Sequence, residues 1–191
     1  MSYPKKLSAE TILEAALACV EAQGLEALSM RSLATELGVS PNALYRYYPS
    51  KSDLSVALAD AGGRILLDAL RDSSAGLPPL LALRATARAY LGFARSRPAL
   101  YAVKMQHGHG QPTGQVPPSH TEVWAFVMGL TAALHTRHDP RDLAVAMWAS
   151  LHGLVELDRA DLLDGRDPAV ALDVMLDVTL SGLMAQQATS P

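Results

Sequence analysis

The sequence predicts an all-α protein of about nine helices in two parts, a three-helix head over residues 1–58 and a larger helical body over 59–191. Three observations predict it. Alanine and leucine dominate an apolar fraction of 49%, while runs of β-branched residues, which favour strands, are scarce. Apolar residues recur at i, i+3, i+4 and i+7, the stripe of a helix face, instead of alternating. The stripes are separated by helix punctuation: cap-plus-proline pairs such as Ser40-Pro41, Asp139-Pro140 and Asp167-Pro168, and glycines just past the ends.

Taken in order, the first helix is capped by Ser8, buries Ile12, Ala16, Cys19 and Val20, and ends at Gly24. Leu25 and Leu28 pack the turn into a second helix, where Ser29 is the cap and Met30, Leu33, Ala34 and Leu37 form the stripe. Gly38 follows where a left-handed residue must turn the chain, Val39 points back to the core, and Ser40 caps a third helix opened by Pro41. Within it Leu44 and Tyr48 face inward, which leaves Asn42, Ala43, Tyr45, Arg46 and Tyr47 on or near the outer face. Ser50 and Asp53 resemble a capping box for a fourth helix carrying Leu54, Ala57, Leu58, Ile65 and Leu66. Gly62-Gly63 inside it has two readings: a weak point, at roughly 1 kcal/mol per glycine against alanine, or a site of close helix packing.

Residues 72–79 (DSSAGLPP) are a breaker cluster and the natural linker. A fifth helix follows with Leu80, Leu83, Ala87, Tyr90 and Leu91. Pro98 opens a short sixth with Leu100, Tyr101 and Met105, and residues 107–119 (HGHGQPTGQVPPS) read as loop. A seventh helix near 119–136 carries Trp124, Phe126, Val127 and Leu130. An eighth over 139–163 passes Trp148 and Leu151, and a ninth over 167–185 carries Val170, Leu172, Met175, Leu176, Val178 and Leu183. The tail from Gln186 frays.

Two short helices joined by a glycine turn, the second ending in aromatic and basic residues, suit double-stranded DNA for a reason of size. One α-helix fits the major groove, and a preceding helix braces it across the backbone. Asn42 can pair with both polar atoms of an adenine edge, and Ala43 can pack on a thymine methyl. Tyr45 and Tyr47 bring hydroxyls within reach of phosphates on stiff rings, and Lys51 at the start of the next helix can grip one phosphate together with backbone N–H groups. The competing reading is a helical hairpin whose tyrosines are ordinary half-buried surface residues.

The run ETILEAALACVEAQGLEALSMRSLATELGVSPNALYRYYPSKSDLSVAL within residues 8–58 resembles the N-terminal domain of the TetR family of bacterial transcription regulators. It follows the pattern S/T-x-R-x-[IL]-A-x-x-[LA]-G-[VI]-[ST]-x-x-x-[LI]-Y-x-[YH]-[FY]-x-x-K-x-x-L almost without departure. The resemblance implies that operator contacts come from Arg31, Ser40, Asn42, Ala43, Tyr45, Arg46, Tyr47 and Lys51. In the body, WASLHG at 148–153 resembles the W-x-x-x-H-G signature of one C-terminal subgroup, and YLGFARSRPALYAVKM at 90–105 is in keeping with it. It implies a regulator, with repression the family's usual mode, and no enzyme.

Charge argues against the DNA reading and has to be met by geometry. The net charge is −3, and residues 1–60 hold five basic residues (Lys5, Lys6, Arg31, Arg46, Lys51) against seven acidic ones. A local basic patch suffices for phosphate contacts, but the field is modest, so non-specific DNA binding is expected to be weak and steeply salt-sensitive. Lys5 and Lys6 form a short arm, either solvated or reaching the backbone. The N-terminus lacks the apolar stretch of a signal peptide, and no eighteen-residue apolar stretch is free of charge or proline, so a cytoplasmic protein without a membrane span is expected. The lone Cys19 reads as a small core residue. His107, His109 and His120 make a weak metal set without a carboxylate or cysteine at ligand spacing, and no phosphate loop, nucleophile elbow or HExxH motif is present, so no cofactor is expected.

Helices near 139–163 and 167–185 are apolar on more than one face, which asks for a partner. One recognition helix also reads only a few base pairs, so two copies about 34 Å apart are needed for a useful site. A two-fold homodimer through these helices meets both demands and is the TetR-like arrangement. A small, largely apolar effector in the body would be lined by Tyr101, Met105, Trp124, Phe126, Met128, Trp148 and His152. Each of these residues reads equally as core. A helical DNA-binding or interaction protein without a sensor is the alternative.

Overall fold

The computed structural model describes residues 7–107 and 116–188, with side chains to residue 185; Lys5, Lys6 and His109 fall outside these. Among the described residues there are nine α-helices, one 3-10 turn (Leu25–Ala27) and no strand. The helices are α1 (Ala9–Gln23), α2 (Met30–Glu36), α3 (Pro41–Tyr45), α4 (Lys51–Ser74), α5 (Pro79–Ser96), α6 (Pro98–Gln106), α7 (Pro118–Ala132), α8 (Pro140–Arg159) and α9 (Pro168–Ala188). Six of the nine open on proline, whose fixed φ suits the first helical position and whose missing N–H would have had no intrahelical partner there.

The chain divides into two compact units, residues 1–64 with 97–120, and residues 65–96 with 121–191. The division therefore falls inside α4 rather than in the breaker cluster, and α6 groups with the head. α4 runs on to Ser74 because Ser73 and Ser74 turn their hydroxyls back onto the Leu70 carbonyl, at 2.9 and 2.8 Å, instead of competing for the chain's exit. Gly76, at φ 71°, then ends the run. α8 stops at Arg159, four residues short of expectation, where Asp161 takes a left-handed φ of 56°.

The first unit is built on Ile12, Ala16 and Val20 of α1, Leu33 of α2, Leu44 of α3 and Leu54 and Leu58 of α4, all essentially inaccessible. Val103 of α6 completes this core, and Arg97 at the start of α6 pairs with Glu21 of α1. Cys19 packs on the same core, and burial followed by the nearby Glu36 charge raises its thiol pKa. The two glycines of α4 are packing glycines. A Cβ on Gly62 would come to 3.0 Å from Leu100, and one on Gly63 to 2.1 Å from the Ser119 hydroxyl. One turn before Gly63, an Asp60 oxygen accepts the Ser119 N–H at 2.8 Å. Pro117, just before α7, has no side-chain oxygen to satisfy that amide, so α4 supplies the cap that α7 lacks.

The second unit packs Leu66, Leu67 and Leu70 of α4, the Leu83–Ala87–Tyr90–Ala94 face of α5, and stripes from α8 and α9. α9 buries Leu172, Leu176, Leu180 and Leu183, and its Asp173 and Asp177 pair with Arg88 (2.6 Å) and Arg84 (2.5 Å) of α5. By length and composition α9 could cross a membrane: Pro168–Ala185 has mean hydropathy 1.5 over 18 residues. Its two charges are matched to arginines on a neighbouring helix and its leucines are buried along one face, but only 28% of the stretch is buried, so the rest of its apolar surface is exposed in the isolated chain.

Gly63→Ala should lower unfolding free energy by about 1–3 kcal/mol in urea titration, because overpacking against Ser119 outweighs the helix propensity gained. Gly92→Ala in α5, where nothing lies within 4 Å of the added carbon, should be neutral or stabilising. Equal effects at the two positions would refute close packing as the reason for Gly63.

A candidate DNA interface on the first unit

The reading head is assembled from caps inward. Ser29 and Ser32 cap the start of α2 reciprocally: the Ser32 N–H donates to the Ser29 hydroxyl at 3.0 Å and the Ser29 N–H to the Ser32 hydroxyl at 3.2 Å. The end of α2 closes as a Schellman motif. Gly38, at φ 67°, donates to the Thr35 carbonyl at 3.2 Å, and Val39 donates to Ala34 at 3.0 Å while its side chain packs on the core. A residue with a Cβ would be strained at Gly38, so the angle between α2 and α3 depends on this glycine.

α3 is a helix of five residues, and its one buried residue is Leu44. Ser40 is at the cap position, but its hydroxyl makes no capping bond; the backbone carbonyl takes the Ala43 N–H at 2.9 Å instead. The Ser40 side chain is therefore exposed and uncommitted to the helix. So short a helix is not stable alone and is held by its surroundings. Leu44 is completely buried, and its carbonyl receives the amides of both Tyr47 and Tyr48. The Tyr48 hydroxyl donates to the Ala9 carbonyl at 3.1 Å, and the Tyr47 hydroxyl to Leu7 at 2.9 Å. Burial raises the Tyr48 pKa.

The residues left facing outward are Asn42, Tyr45, Arg46 and Tyr47, with Ala43 half-buried beside them. Tyr45 and Tyr47 are 45% and 42% exposed, so neither ring is walled in. They differ at their tips: the Tyr47 proton is committed to Leu7, so that ring braces the first residues of the head, and its oxygen is left as an acceptor. Arg31, Arg46 and Lys51 are exposed and form no ion pair among the described residues, whereas Glu21 is engaged by Arg97. Lys51 opens α4 beside Ser50, whose hydroxyl accepts the Asp53 N–H at 3.1 Å and donates to the Asp53 carboxylate at 2.7 Å. Only the forward half of the expected capping box is made: Asp53 turns to the hydroxyl instead of the backbone.

The effector residues expected from sequence divide between the units. Tyr101, fully buried, and Met105 belong to the first. Trp124, Met128, Trp148 and His152 belong to the second, where three of them meet. Trp148 packs edge-on to Trp124 with centroids 5.8 Å apart and stacks on His152 at 5.4 Å. Trp148 is 38% exposed and Met128 36%, so this cluster opens to solvent in the isolated chain. No group of three His, Cys, Asp or Glu among the described residues is placed to hold a metal ion. The sequence reading missed Asp60 and Ser119, 59 positions apart and carrying no local signal for each other.

The models of known families match both parts of the chain: residues 12–58 match the tetR family of bacterial regulatory proteins, and residues 83–179 the tetracyclin repressor-like C-terminal domain. An HTH-type transcriptional regulator of Mycobacterium tuberculosis, Rv0681, is 28% identical over 182 residues, covering 92% of this chain and 82% of the relative. The HTH-type transcriptional repressor DrrR1 of Streptomyces coeruleorubidus is 44% identical over 54 residues, 28% of this chain and 20% of the relative. Among solved structures, a Rhodococcus sp. RHA1 protein of unknown function superposes with a TM-score of 0.83 at 25% identity over 95% of this chain and 99% of its own. The Streptomyces coelicolor TetR regulator SCO7222 does so at 0.76 and 21% identity, over 94% and 99%. The C-terminal family model spans half of the chain and the N-terminal one most of the head; this protein belongs to the TetR family of DNA-binding, non-enzymatic transcriptional regulators.

Proposed function

We propose that this regulator is a cytoplasmic repressor that binds a palindromic operator as a homodimer, with α3 of each copy in the major groove. A small, largely apolar effector releases it. The observation that carries the reading is the outward set on α3. Asn42, Tyr45 and Arg46 are exposed on a helix whose opposite side is fixed by Leu44, with Arg31 and Lys51 unpaired nearby. Asn42 and Ala43 read base edges; Arg31, Ser40, Tyr45, Arg46, Tyr47 and Lys51 hold the phosphate backbone. Residues 1–58 do the reading, and 59–191 do the pairing and sensing.

The pairing surface is supported by two outward rows. Opposite its buried leucines, α9 presents Val170, Val174 and Val178, 60–71% exposed, then Gly182. α8 presents Val145, Ala149, Gly153 and Leu157 at the same four-residue spacing. Rows of this spacing are the ridges by which helices interdigitate, and glycine lets backbones approach. A solvated monomer has no use for them.

Sensing would act through α4 and α7, which both run without a break from one unit into the other and are bonded to each other through Asp60 and Ser119. An effector that favours the body conformation with wrongly spaced heads weakens DNA binding, and by linkage DNA weakens effector binding equally. A regulator without a sensor is the second reading, favoured by the openness of Trp148 and Met128. It predicts one operator affinity under all ligands.

Selection of bound sites from a random DNA pool tests the whole reading. Two inverted half-sites about one helical turn apart support it, and a single unrepeated motif refutes the dimer. On the selected site, Asn42→Ala should lose roughly 1–3 kcal/mol and relax the preference at one position. Lys51→Ala should weaken all sequences alike and flatten the slope of log affinity against log salt by about one. Val174→Glu should give a folded monomer in sedimentation, with operator affinity reduced at least about tenfold; an unchanged dimer would place the interface elsewhere.

A further inference from the structure

Elsewhere the chain caps its helices locally. Ser8, Ser29 and Ser50 accept the amide three residues on, and Asp139 and Asp167 accept the amide two residues on. α7 is served differently: the acceptor of its Ser119 amide is a carboxylate oxygen of Asp60, on α4 and 59 positions away. A serine or aspartate in place of Pro117 would meet the same need without leaving the segment. What the distant acceptor adds, and a local one cannot, is a fixed link between two helices.

The link sits where the chain leaves the first unit. α4 passes out of it after Arg64 and α7 after His120, and these are the two helices whose residues are divided between the units. Both partners are withdrawn from water: the Asp60 side chain is 13% exposed and Ser119 is 1% exposed. The carboxylate oxygens divide the work, Oδ1 taking the Ser119 N–H at 2.8 Å and Oδ2 the Arg64 guanidinium at 2.5 Å, so the side chain is held on both sides. The contact is close as well as bonded. Gly62 lies against Leu100 of α6 and Gly63 against Ser119, where an added Cβ would come to 3.0 and 2.1 Å. α6 follows the remaining crossing, between Ser96 and Arg97, so α4 touches the helix at each of the other two exits.

We propose that Asp60 is a positioning residue for DNA reading. By fixing α7 to α4 where both leave the first unit, it sets the separation of the two α3 helices in the dimer, and with it the half-site spacing that the regulator accepts. This rests on the homodimer reading above and sharpens it. One inserted base pair moves a half-site by about 3.4 Å and turns it by roughly 35°. Heads held firmly at their exits accept one spacing, and heads on loosened exits accept several. Two-fold symmetry makes any loosening count twice. The outward residues of α3 are left as they are, so reading by a single head is unaffected.

Binding of the full-length protein is measured by fluorescence anisotropy on four duplexes: the selected operator, the same operator with one base pair inserted or removed between its half-sites, and a single half-site. Wild type is expected to bind each altered spacing at least about tenfold more weakly, the low end of what deforming DNA to fit costs. Asp60→Ala should bring the three spacings within about threefold of one another, as the loosened heads spare the DNA that deformation, with half-site affinity unchanged. Asp60→Asn keeps an oxygen for the Ser119 amide and should retain the wild-type ranking. Gly63→Ala displaces Ser119 while leaving Asp60 in place and should broaden the spacing in the same way, which keeps the test decisive if Asp60→Ala does not fold. A spacing preference as sharp in these variants as in wild type overturns the proposal. So does an equal loss on all four duplexes, the mark of a purely structural bond. A wild type indifferent to spacing refutes the dimer reading, and this proposal with it.

Discussion

The bond from the Ser119 amide to Asp60 joins the two helices on which the continuity of the chain depends. α4 and α7 each begin in the first unit and end in the second. Neither is interrupted by a hinge glycine in the usual sense: the glycines of α4 are filled against Leu100 and Ser119, where they allow approach closer than any other residue permits. The first amides of a helix are donors without intrahelical acceptors, so α7 must find an acceptor somewhere, and Pro117 offers none from its side chain. Asp60 meets that need, and Arg64, at 2.5 Å, holds the same carboxylate from the next turn of α4. Removing any part leaves a buried or half-buried polar group unmatched, a more severe loss than the modest net worth of the bond itself.

The reading helix follows an opposite logic. With five residues it has almost no stability of its own, and the sequence invests in everything around it instead: a reciprocal serine cap before α2, a glycine-closed turn, Leu44 in the core and two tyrosine hydroxyls tied to the start of α1. This frees the outward side chains from any structural duty. Asn42, Tyr45 and Arg46 are exposed, and the buried anchor of the helix is Leu44. Tyr47 is exposed along its ring and anchored at its tip by the bond to the Leu7 carbonyl.

Local rules carried the fold. Caps, proline starts and apolar spacing located all nine helices, because each of those signals lies within four residues of the element it controls. They were weakest where a side chain could serve either purpose. Ser73 and Ser74 looked like breakers and instead bonded back to Leu70, extending α4. Gly62-Gly63 could mean weakness or closeness until Leu100 and Ser119 were seen beside them. The exposed face of α3 was legible because Leu44 fixes its phase. The residues named for an effector were not separable from core by type alone: Tyr101 proved fully buried, while Trp124, Trp148 and His152 form a cluster open to solvent.

The distribution of charge resolves the apparent conflict between an acidic chain and an anionic partner. Several of the acids are engaged by arginines nearby. Asp173 and Asp177 are spent on α5, Asp158 and Asp167 lie near Arg95, and Glu21 holds Arg97. Arg31 on α2, Arg46 just after α3 and Lys51 at the start of α4 are exposed and have no such partners among the described residues. A phosphate backbone responds to the potential within about a Debye length, roughly 8 Å at physiological salt, and not to a sum over the molecule. Three cations without an ion-pair partner therefore bear on the local potential in a way the net charge of the chain does not express.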